Sequence, residues 1–376
     1  MARSDPQRLS TQGVIRLRSA RCQSAYWDNG DLRIANYLTR SRFAANPVVL
    51  EIVRFFSCPR TIRDAMLEFD TYTPESVGEA ILQLIAAELL LECDSPEWAR
   101  DDHLASSWRP WLPEGGYHFL TKDAPYFGSD WTLEQKLQAL PSTPQPDQFK
   151  KTAGTESIPL PLHARETDTF FQTLHARRTQ REFSEAAVSL HSVSTLLQTT
   201  WGVQGYTETD LYGRLPLKTS PSGGARHPIE VYLMALRVTG LDCGLYHYDA
   251  REHALRQISP TATSQTAQAY CADQPYVARS AALFIMTGIF ARTMWKYGHP
   301  RAYRVVLLDA GHLGQTFCLT ATRMGLAPFS TAALKDTLIE EDLGIDGISE
   351  SVLYVTGVGM PAGESMPSIA HDEAAL

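Results

Sequence analysis

The sequence predicts an α+β protein of two domains, and three observations support this: its length, its composition and the order of its periodic segments. The chain has 376 residues, of which 44% are hydrophobic and 20% are charged, as is typical of globular proteins. At about 150 residues per domain, this length predicts two units, and one domain with additional segments is the alternative. Segments with helical and with strand periodicity follow one another without strict alternation, which favours helix and sheet layers over a repeated βαβ arrangement.

The charge distribution disfavours some classes of partner. The formal net charge of −8 argues against binding of nucleic acid or of an anionic membrane surface by the chain as a whole. Basic residues are nevertheless concentrated at the start. Residues 1–63 contain eleven Arg and four acidic residues, whereas residues 64–104 contain one Arg and eleven acidic residues.

The cysteines and the N-terminus indicate the cellular compartment in which the protein is expected. The six cysteines are scattered and form no CxxC pair, so a structural zinc site is not expected. The first twelve residues contain no apolar stretch typical of a signal peptide, and no apolar run is long enough to suggest a membrane span. We therefore expect a cytoplasmic protein without a metal.

Residues 1–95 are predicted to form a small winged-helix domain. Arginines alternate with Val, Ile and Leu in two short strands, and Pro or Thr residues mark the starts of three short helices. Three helices followed by a return strand are typical of a winged helix. The expected elements are strands near 14–22 and 31–38, helices at 48–56, 61–69 and 73–88, and a return strand at 89–91.

The rest of the chain is predicted to contain a linker, a second domain and a tail. Residues 96–165 are rich in Pro, Gly, Ser and Trp without strong periodicity, which predicts a linker partly docked through its aromatic side chains. The second domain is expected at 166–362, and residues 363–376 are expected to be a flexible tail. The second domain's expected helices lie at 167–177, 190–201, 301–324 and 331–343, and its expected strands at 229–238, 244–248, 281–289 and 352–357.

Three arginines within five residues, Arg177, Arg178 and Arg181, stand where a helix is expected to end. Guanidinium groups this close repel one another unless an anion lies between them, and a phosphate suits their fork-shaped donors. A solvated basic helix end is the alternative explanation.

The segment 219–228 places Ser222, Gly223 and Gly224 directly before a predicted strand. Two adjacent glycines allow the backbone to approach a flat ligand closely, and the neighbouring hydroxyls supply donors and acceptors. The pattern is neither GxGxxG nor a Walker P-loop. A plain surface turn is the alternative.

Lys296 and Tyr297 precede the helix expected at 301–324. A lysine beside a tyrosine in a largely apolar neighbourhood is a candidate base or proton relay. The alternative is a surface lysine whose stem covers apolar surface, next to a packed tyrosine.

In order and spacing, these segments resemble the SagB/McbC-type flavin dehydrogenases of the nitroreductase superfamily. The resemblance covers about residues 171–359. It implies an α+β domain with a central mixed sheet flanked by helices, in a homodimer that binds FMN across the subunit interface. The motifs that carry it are RRTQREF from Arg177, PSGGARHP followed by Glu230 and Tyr232, GLYHYD from Gly244, KYG from Lys296, and YRVVLLDAGHLGQ from Tyr303.

The resemblance also implies a role for each matching residue. Lys296 and Tyr297 match the Lys-Tyr pair that acts as the catalytic base unit. Three departures are visible: Thr179 stands where serine is usual, the 299–302 segment looks one residue longer, and no Arg or Lys follows Gly359. Phosphate binding is therefore expected to depend more on the 177–181 cluster. The residues expected to bind FMN are Arg177, Arg178, Thr179, Arg181, Ser222, Gly223, Gly224, Ala327 and Pro328.

The N-terminal domain resembles the PqqD-like winged-helix domains that recognise precursor peptides. It is expected to bind the leader of the substrate peptide, since an extended peptide can add to an edge strand. DNA binding is an alternative, which the acidic residues Glu75, Glu79 and Glu88 of the third helix disfavour. A complex with a cyclodehydratase is a further expected partnership.

The function that the resemblance implies is the FMN-dependent oxidation of peptide azolines, thiazolines or oxazolines, to azoles during ribosomal peptide (RiPP) biosynthesis. The base unit would remove a proton, and a hydride would pass to flavin N5. Three alternatives stay open: another peptide dehydrogenation, NAD(P)H-dependent reduction of small electrophiles, and a peptide-binding scaffold with a degenerate flavin domain.

Overall fold

The computed structural model describes residues 15–124, 169–210 and 212–363, with four further positions at 132, 134, 135 and 138. Most of the predicted linker beyond residue 124, and the predicted tail from residue 364 onward, therefore lie outside the described residues.

Backbone contacts group the chain into two compact units. The first comprises residues 1–122 together with 290–304, and the second comprises residues 123–289 together with 305–376. The segment that carries Lys296 thus belongs to the first unit. The domain boundaries expected from the sequence stay predictions.

The first unit begins with two small antiparallel sheets and three helices. One sheet has the strand order β5-β1-β6 and the other the order β2-β3-β4. The strands are β1 (Arg16–Ser19), β2 (Gln23–Asp28), β3 (Asp31–Asn36), β4 (Arg42–Ala45), β5 (Arg60–Thr61) and β6 (Leu90–Glu92), and the helices are α1 (Val48–Phe55), α2 (Ile62–Glu68) and α3 (Pro74–Ala86).

The second and third helices begin at the residues that the sequence indicates. The Thr61 hydroxyl accepts a hydrogen bond from the Asp64 N–H while the Asp64 carboxylate accepts one from the Thr61 N–H, and this reciprocal capping box fixes the start of α2. Thr73 caps α3, whose first residue is Pro74. The three helices and the return strand are as predicted, whereas the identification of a winged helix stays a prediction.

One apolar stripe of α3 lies in the core of the first unit. Val77, Ile81 and Leu84 are buried and belong to one cluster with Leu17 of β1 and Phe56. Residues spaced by three and four positions share one helix face, so the stripe predicted from the sequence packs against the β1 sheet as expected of a core helix.

The alternation of arginines in the first strand does not keep them all at the surface. Arg18 is only 2% exposed, and its guanidinium lies 2.8 Å from Asp101 and 3.0 Å from Asp102. Asp101 also accepts hydrogen bonds from the backbone N–H groups of Arg21 and Cys22. A buried guanidinium requires such a partner, so Arg18 is part of the unit's interior and unavailable to a peptide.

Residues 96–120 contain helices that the sequence analysis did not predict. They are α4 (Pro96–Ser107) and α5 (Gly116–Leu120). Ser95 caps α4 and Pro96 is its first residue, but its largely polar sequence shows no apolar stripe. The expected burial of aromatic side chains is confirmed for Trp108 and Trp111, which are both 0% exposed.

A six-stranded sheet forms the centre of the second unit, with the order β13-β12-β10-β14-β16-β15. All five pairings between these strands are antiparallel. The expectation of a mixed sheet was therefore wrong for the described strands, although the α+β class is confirmed. The strands are β10 (Ile229–Ala235), β12 (Gly244–Asp249), β13 (Ala254–Ser259), β14 (Ala282–Ile289), β15 (Ala327–Thr331) and β16 (Glu350–Gly359).

The described residues also contain four shorter strands, six further α-helices and three short 3₁₀ helices, Gly223–Ala225, Pro275–Arg279 and Pro300–Ala302. The strands β7 (Val188–Ser189) and β11 (Val238–Thr239) pair in parallel, and β8 (Gly205–Thr209) pairs with β9 (Gly213–Leu217) as a hairpin. The predicted helix at 331–343 begins later, at Asp336, because residues 327–331 form edge strand β15. The helices are α6 (Thr169–Ala176), α7 (Leu190–Thr200), α8 (Ser264–Tyr270), α9 (Phe290–Met294), α10 (Tyr303–Arg323) and α11 (Asp336–Leu343).

The core of the second unit lies on the faces of this sheet. Phe284 of β14 stacks on Trp201 with ring centroids 5.9 Å apart and lies 4.8 Å from the ring of Phe317 of α10. The long helix α10 is thereby fixed to the central strand of the sheet. Among the described residues, no helix is both long and apolar enough to cross a membrane.

Candidate flavin site

The arginine segment directly follows α6, and its three guanidinium groups have different neighbours. Arg178 donates to the carbonyl oxygens of His175 at 3.0 Å and of Arg177 at 2.7 Å, which satisfies carbonyls at the end of the helix. Arg177 is close enough to Cys318 of α10 to oppose the rise in the pKa of that buried thiol. Arg181 lies over the ring of Tyr276, 5.5 Å from its centroid.

The backbone joins this segment to the strand that carries Ala327 and Pro328. The Gln180 N–H donates to the Pro328 carbonyl oxygen at 2.8 Å. Ala327 and Pro328 are buried in β15, at the edge of the sheet, where a proline is tolerated because it interrupts no ladder. The structure therefore brings together two segments that the sequence assigned to one site.

The loop with Ser222, Gly223 and Gly224 is held by an aspartate of α10. The Ser222 hydroxyl donates to Asp309 Oδ2 at 2.5 Å, and the Gly223 N–H donates to Asp309 Oδ1 at 3.2 Å. The Ser222 oxygen also accepts a hydrogen bond from the His227 N–H at 2.9 Å. A plain surface turn needs no buried hydrogen-bond partner. The bonds to Asp309 therefore favour a structured loop over that alternative.

Gly223 has a steric reason to be glycine. A Cβ atom built at this position would lie 2.2 Å from Cγ1 of Val305. Gly224 has a different reason, since its φ of 63° is in the left-handed region, which glycine adopts without strain. The two glycines are thus required by the loop's own packing and backbone.

The sequence motifs assign no role to Asp309. Asp309 is 4% exposed, and burial raises the pKa of its carboxyl, although the hydrogen bonds from Ser222 and Gly223 oppose that rise. A signal was present in the sequence: Asp309 stands three residues after Val306 and four before Leu313, on the buried face of α10. A carboxylate at such a position needs hydrogen-bond donors.

Lys296 and Tyr297 lie just after α9. The N–H groups of both residues donate to the Thr293 carbonyl oxygen, at 3.2 Å and 2.9 Å, and the Tyr297 carbonyl accepts from the indole N–H of Trp111 at 3.1 Å. The Lys296 ammonium lies 5.6 Å from the Tyr297 ring centroid. The pair is therefore together in a fixed turn of the first unit, and the other nine predicted site residues belong to the second unit.

Glu230 and Tyr232, which belong to the recognised motifs, form a polar network across the sheet. The Tyr232 hydroxyl donates to Glu350 at 2.9 Å, and Thr287 donates to the same carboxylate oxygen. His247 Nε2 lies 2.9 Å from Glu230, whose hydrogen bond raises the pKa of the histidine. In the part of the chain that the structure describes, no group of three or more His, Cys, Asp or Glu residues could hold a metal ion.

The chain is similar to known proteins over most of its length. The family described as "Nitroreductase family" matches residues 174–360. The trifolitoxin-processing protein TfxB of Rhizobium leguminosarum bv. trifolii is 28% identical over 332 residues, which are 82% of this chain and 86% of that protein.

Two further relatives match a shorter part. A protein of Methanocaldococcus jannaschii, MJ1384, named as a candidate nitroreductase, is 31% identical over 169 residues, covering 45% of this chain and 81% of its own. The microcin B17-processing protein McbC of Escherichia coli is 29% identical over 147 residues, covering 37% of this chain and 53% of its own.

Proposed function

Since the chain belongs to the nitroreductase family, we propose that it is an FMN-dependent oxidoreductase that dehydrogenates a ribosomally made peptide. The observation that carries the proposal is the match to the trifolitoxin-processing protein, which spans 332 residues and so extends well beyond the part that the family matches. The microcin B17-processing relative supports the same class of substrate.

The residues of the second unit suit a flavin mononucleotide. Arg177 and Arg181 would hold the phosphate, because fork-shaped guanidinium donors match its oxygens. Arg178 contributes less, since its guanidinium already donates to the end of α6. Thr179 adds an exposed hydroxyl for the ribityl chain, and Ser222, Gly223, Gly224, Ala327 and Pro328 would face the ring system. The bound flavin would accept the two electrons that leave the substrate.

Lys296 and Tyr297 supply the protein's part of the chemistry. In the oxidation of an azoline, they would take the acidic Cα proton while a hydride leaves the adjacent ring carbon, so that a ring double bond forms and the azoline becomes an azole. The Lys296 ammonium lies beside the Tyr297 ring, so the two side chains are close together in the turn after α9. A base must be within hydrogen-bond reach of the proton that it removes.

The first unit and helix α10 would provide the surfaces that bind partners. The two small sheets of the first unit have edge strands to which a leader peptide could add. Leu307 and Leu308 of α10 are 42% and 60% exposed, and exposed neighbouring leucines favour the homodimer implied by the resemblance. A cyclodehydratase would be the enzyme that supplies the azoline.

The reduction of small electrophiles with NAD(P)H is the second candidate, favoured by the similarity to MJ1384. Flavin reduction measured on purified protein distinguishes peptide oxidation from this second candidate. The proposal predicts yellow protein that releases FMN on denaturation and whose flavin is reduced by an azoline peptide without oxygen. Rapid reduction by NAD(P)H alone, with no response to the peptide, favours the second candidate, and a protein that takes up no added FMN contradicts both.

A further inference from the structure

Asp309 uses both carboxylate oxygens on one loop. The Ser222 hydroxyl donates to Oδ2 and the Gly223 N–H donates to Oδ1. The Ser222 oxygen then accepts from the His227 N–H, so that the carboxylate is linked to both ends of the 222–227 turn. Charge-assisted hydrogen bonds of this kind are about twice as strong as neutral ones.

The turn needs such support because part of its backbone is unfavourable. Ala225 and His227 have φ values of 54° and 44°, in the left-handed region that residues with a Cβ atom seldom adopt. Conformations like these persist only where the surrounding contacts impose them. At this turn Asp309 holds Ser222 and Gly223, and the His227 ring additionally lies 3.2 Å from the Pro216 carbonyl oxygen.

Asp309 also determines which loop donors are free for a ligand. Its two bonds occupy the Ser222 hydroxyl and the Gly223 N–H, and the Ala225 N–H donates to the Ser222 carbonyl at 3.0 Å. Among the residues that the structure describes, none accepts a hydrogen bond from the N–H of Ser222 or from the N–H of Gly224. The Ser222 hydroxyl is therefore a donor to the protein itself, and the N–H groups of Ser222 and Gly224 are the backbone donors of the described 222–227 turn that stay available.

We propose that Asp309 is the positioning residue of the flavin-binding loop: it imposes the 222–227 conformation and leaves the Gly224 N–H to donate to FMN. The inference rests on the proposed FMN-dependent function. Asp309 acts through Ser222 and Gly223, so its removal alters the loop before it alters any ligand contact.

Two measurements on the full chain test this proposal. The first is hydrogen exchange at the amides of residues 222–227 in the flavin-free protein, and the second is FMN affinity by fluorescence titration. Asp309→Asn should speed exchange at Gly223 and His227 at least tenfold and weaken FMN binding at least tenfold. In the double variant that combines Asp309→Asn with Ser222→Ala, the amide exchange rates and the FMN affinity should each differ by less than twofold from those of Asp309→Asn alone. The reason is that both substitutions break the same hydrogen-bonded connection.

Thr316→Val is the matched control. The Thr316 hydroxyl lies 2.7 Å from the Ser220 hydroxyl, so this variant removes a neutral hydrogen bond between the same helix and the same segment. Its effect on both measurements should stay within threefold. Effects as large as those of Asp309→Asn would contradict a special role for the carboxylate.

The outcomes separate this inference from the proposed function. A wild-type protein that binds no FMN overturns the function, whereas the exchange of the loop amides still tests the role of Asp309. Wild-type exchange and wild-type FMN affinity in Asp309→Asn overturn the inference. If Asp309→Asn does not fold, hydrogen exchange is measured in Ser222→Ala instead. Unchanged exchange at the His227 amide in that variant contradicts the proposed connection.

Discussion

At the scale of single residues, the first unit depends on a buried ion pair. Arg18 and Asp101 are both nearly inaccessible to solvent, and the Asp101 carboxylate in addition accepts hydrogen bonds from two backbone N–H groups, those of Arg21 and Cys22. Asp101→Asn leaves the Arg18 charge without its closest partner, which should lower the free energy of unfolding by about 3 kcal/mol. Denaturant unfolding measures this loss.

An exposed pair provides the comparison for that variant. Asp28 lies 3.8 Å from Arg33, and both side chains are at least one third exposed. Asp28→Asn should change the unfolding free energy by less than about 1 kcal/mol. Equal effects of the two substitutions would contradict the structural role assigned to Asp101.

Gly223 offers a second test at the residue scale. Gly223→Ala places a methyl group 2.2 Å from Val305 Cγ1 and should destabilise the protein by about 1–3 kcal/mol. Val305→Ala removes that atom, and the remaining Val305 Cβ would be at an ordinary 3.6 Å. In a thermal-unfolding cycle, the double variant should therefore be more stable than Gly223→Ala alone, and strict additivity would refute the clash.

The role of Asp309 shows what the sequence leaves open at this scale. Gly223 and Ser222 are recognisable from their motif, but their partner stands 87 residues away from Ser222. A buried carboxylate on an apolar helix face signals that a polar contact exists. Only the folded chain identifies the donors, because hydrogen bonds between distant segments leave no periodic pattern.

At the scale of elements, the pair His247 and Glu230 connects β12 to β10. The hydrogen bond with Glu230 raises the pKa of His247 above its ordinary value of 6.5. The folded state thus binds the proton more tightly than the unfolded state. The resulting stabilisation is complete below about pH 6.5 and is lost as the pH rises through the raised pKa.

His247→Gln should therefore flatten the pH dependence of stability. Between about pH 6 and pH 8, the unfolding free energy of the wild type should fall more steeply than that of the variant. His191, which is exposed at the start of α7, provides the control, and His191→Gln should keep the wild-type slope. Identical slopes for all three proteins would contradict the assigned pairing.

Elements with clear local signals were predictable, and those that depend on tertiary contacts were not. Helices α2 and α3 begin at Thr and Pro residues whose capping role is visible in the sequence. Hairpin β8–β9 is largely exposed on both faces, so it has no apolar alternation to detect. Strand β15 is a short buried run, and such runs do not distinguish strand from helix.

At the scale of the whole molecule, the order of helical and strand segments correctly predicted the α+β class, whereas the division into domains that the length suggests stays a prediction. The assignment of residues 290–304 to the first unit has no counterpart in the sequence, because this segment directly follows central strand β14. The family membership was predictable from its motifs, since their order and spacing are specific even though each motif alone has an ordinary structural explanation.

The central claim is that the Lys296 and Tyr297 pair serves the flavin-dependent oxidation of a peptide. The most direct measurement is mass spectrometry of an azoline-containing peptide after incubation with FMN-loaded protein and oxygen. The wild type should remove two hydrogens per ring, while Lys296→Ala should retain FMN yet leave the peptide mass unchanged. Loss of two hydrogens at the wild-type rate in Lys296→Ala, or an unchanged peptide with FMN-loaded wild type, would contradict the account.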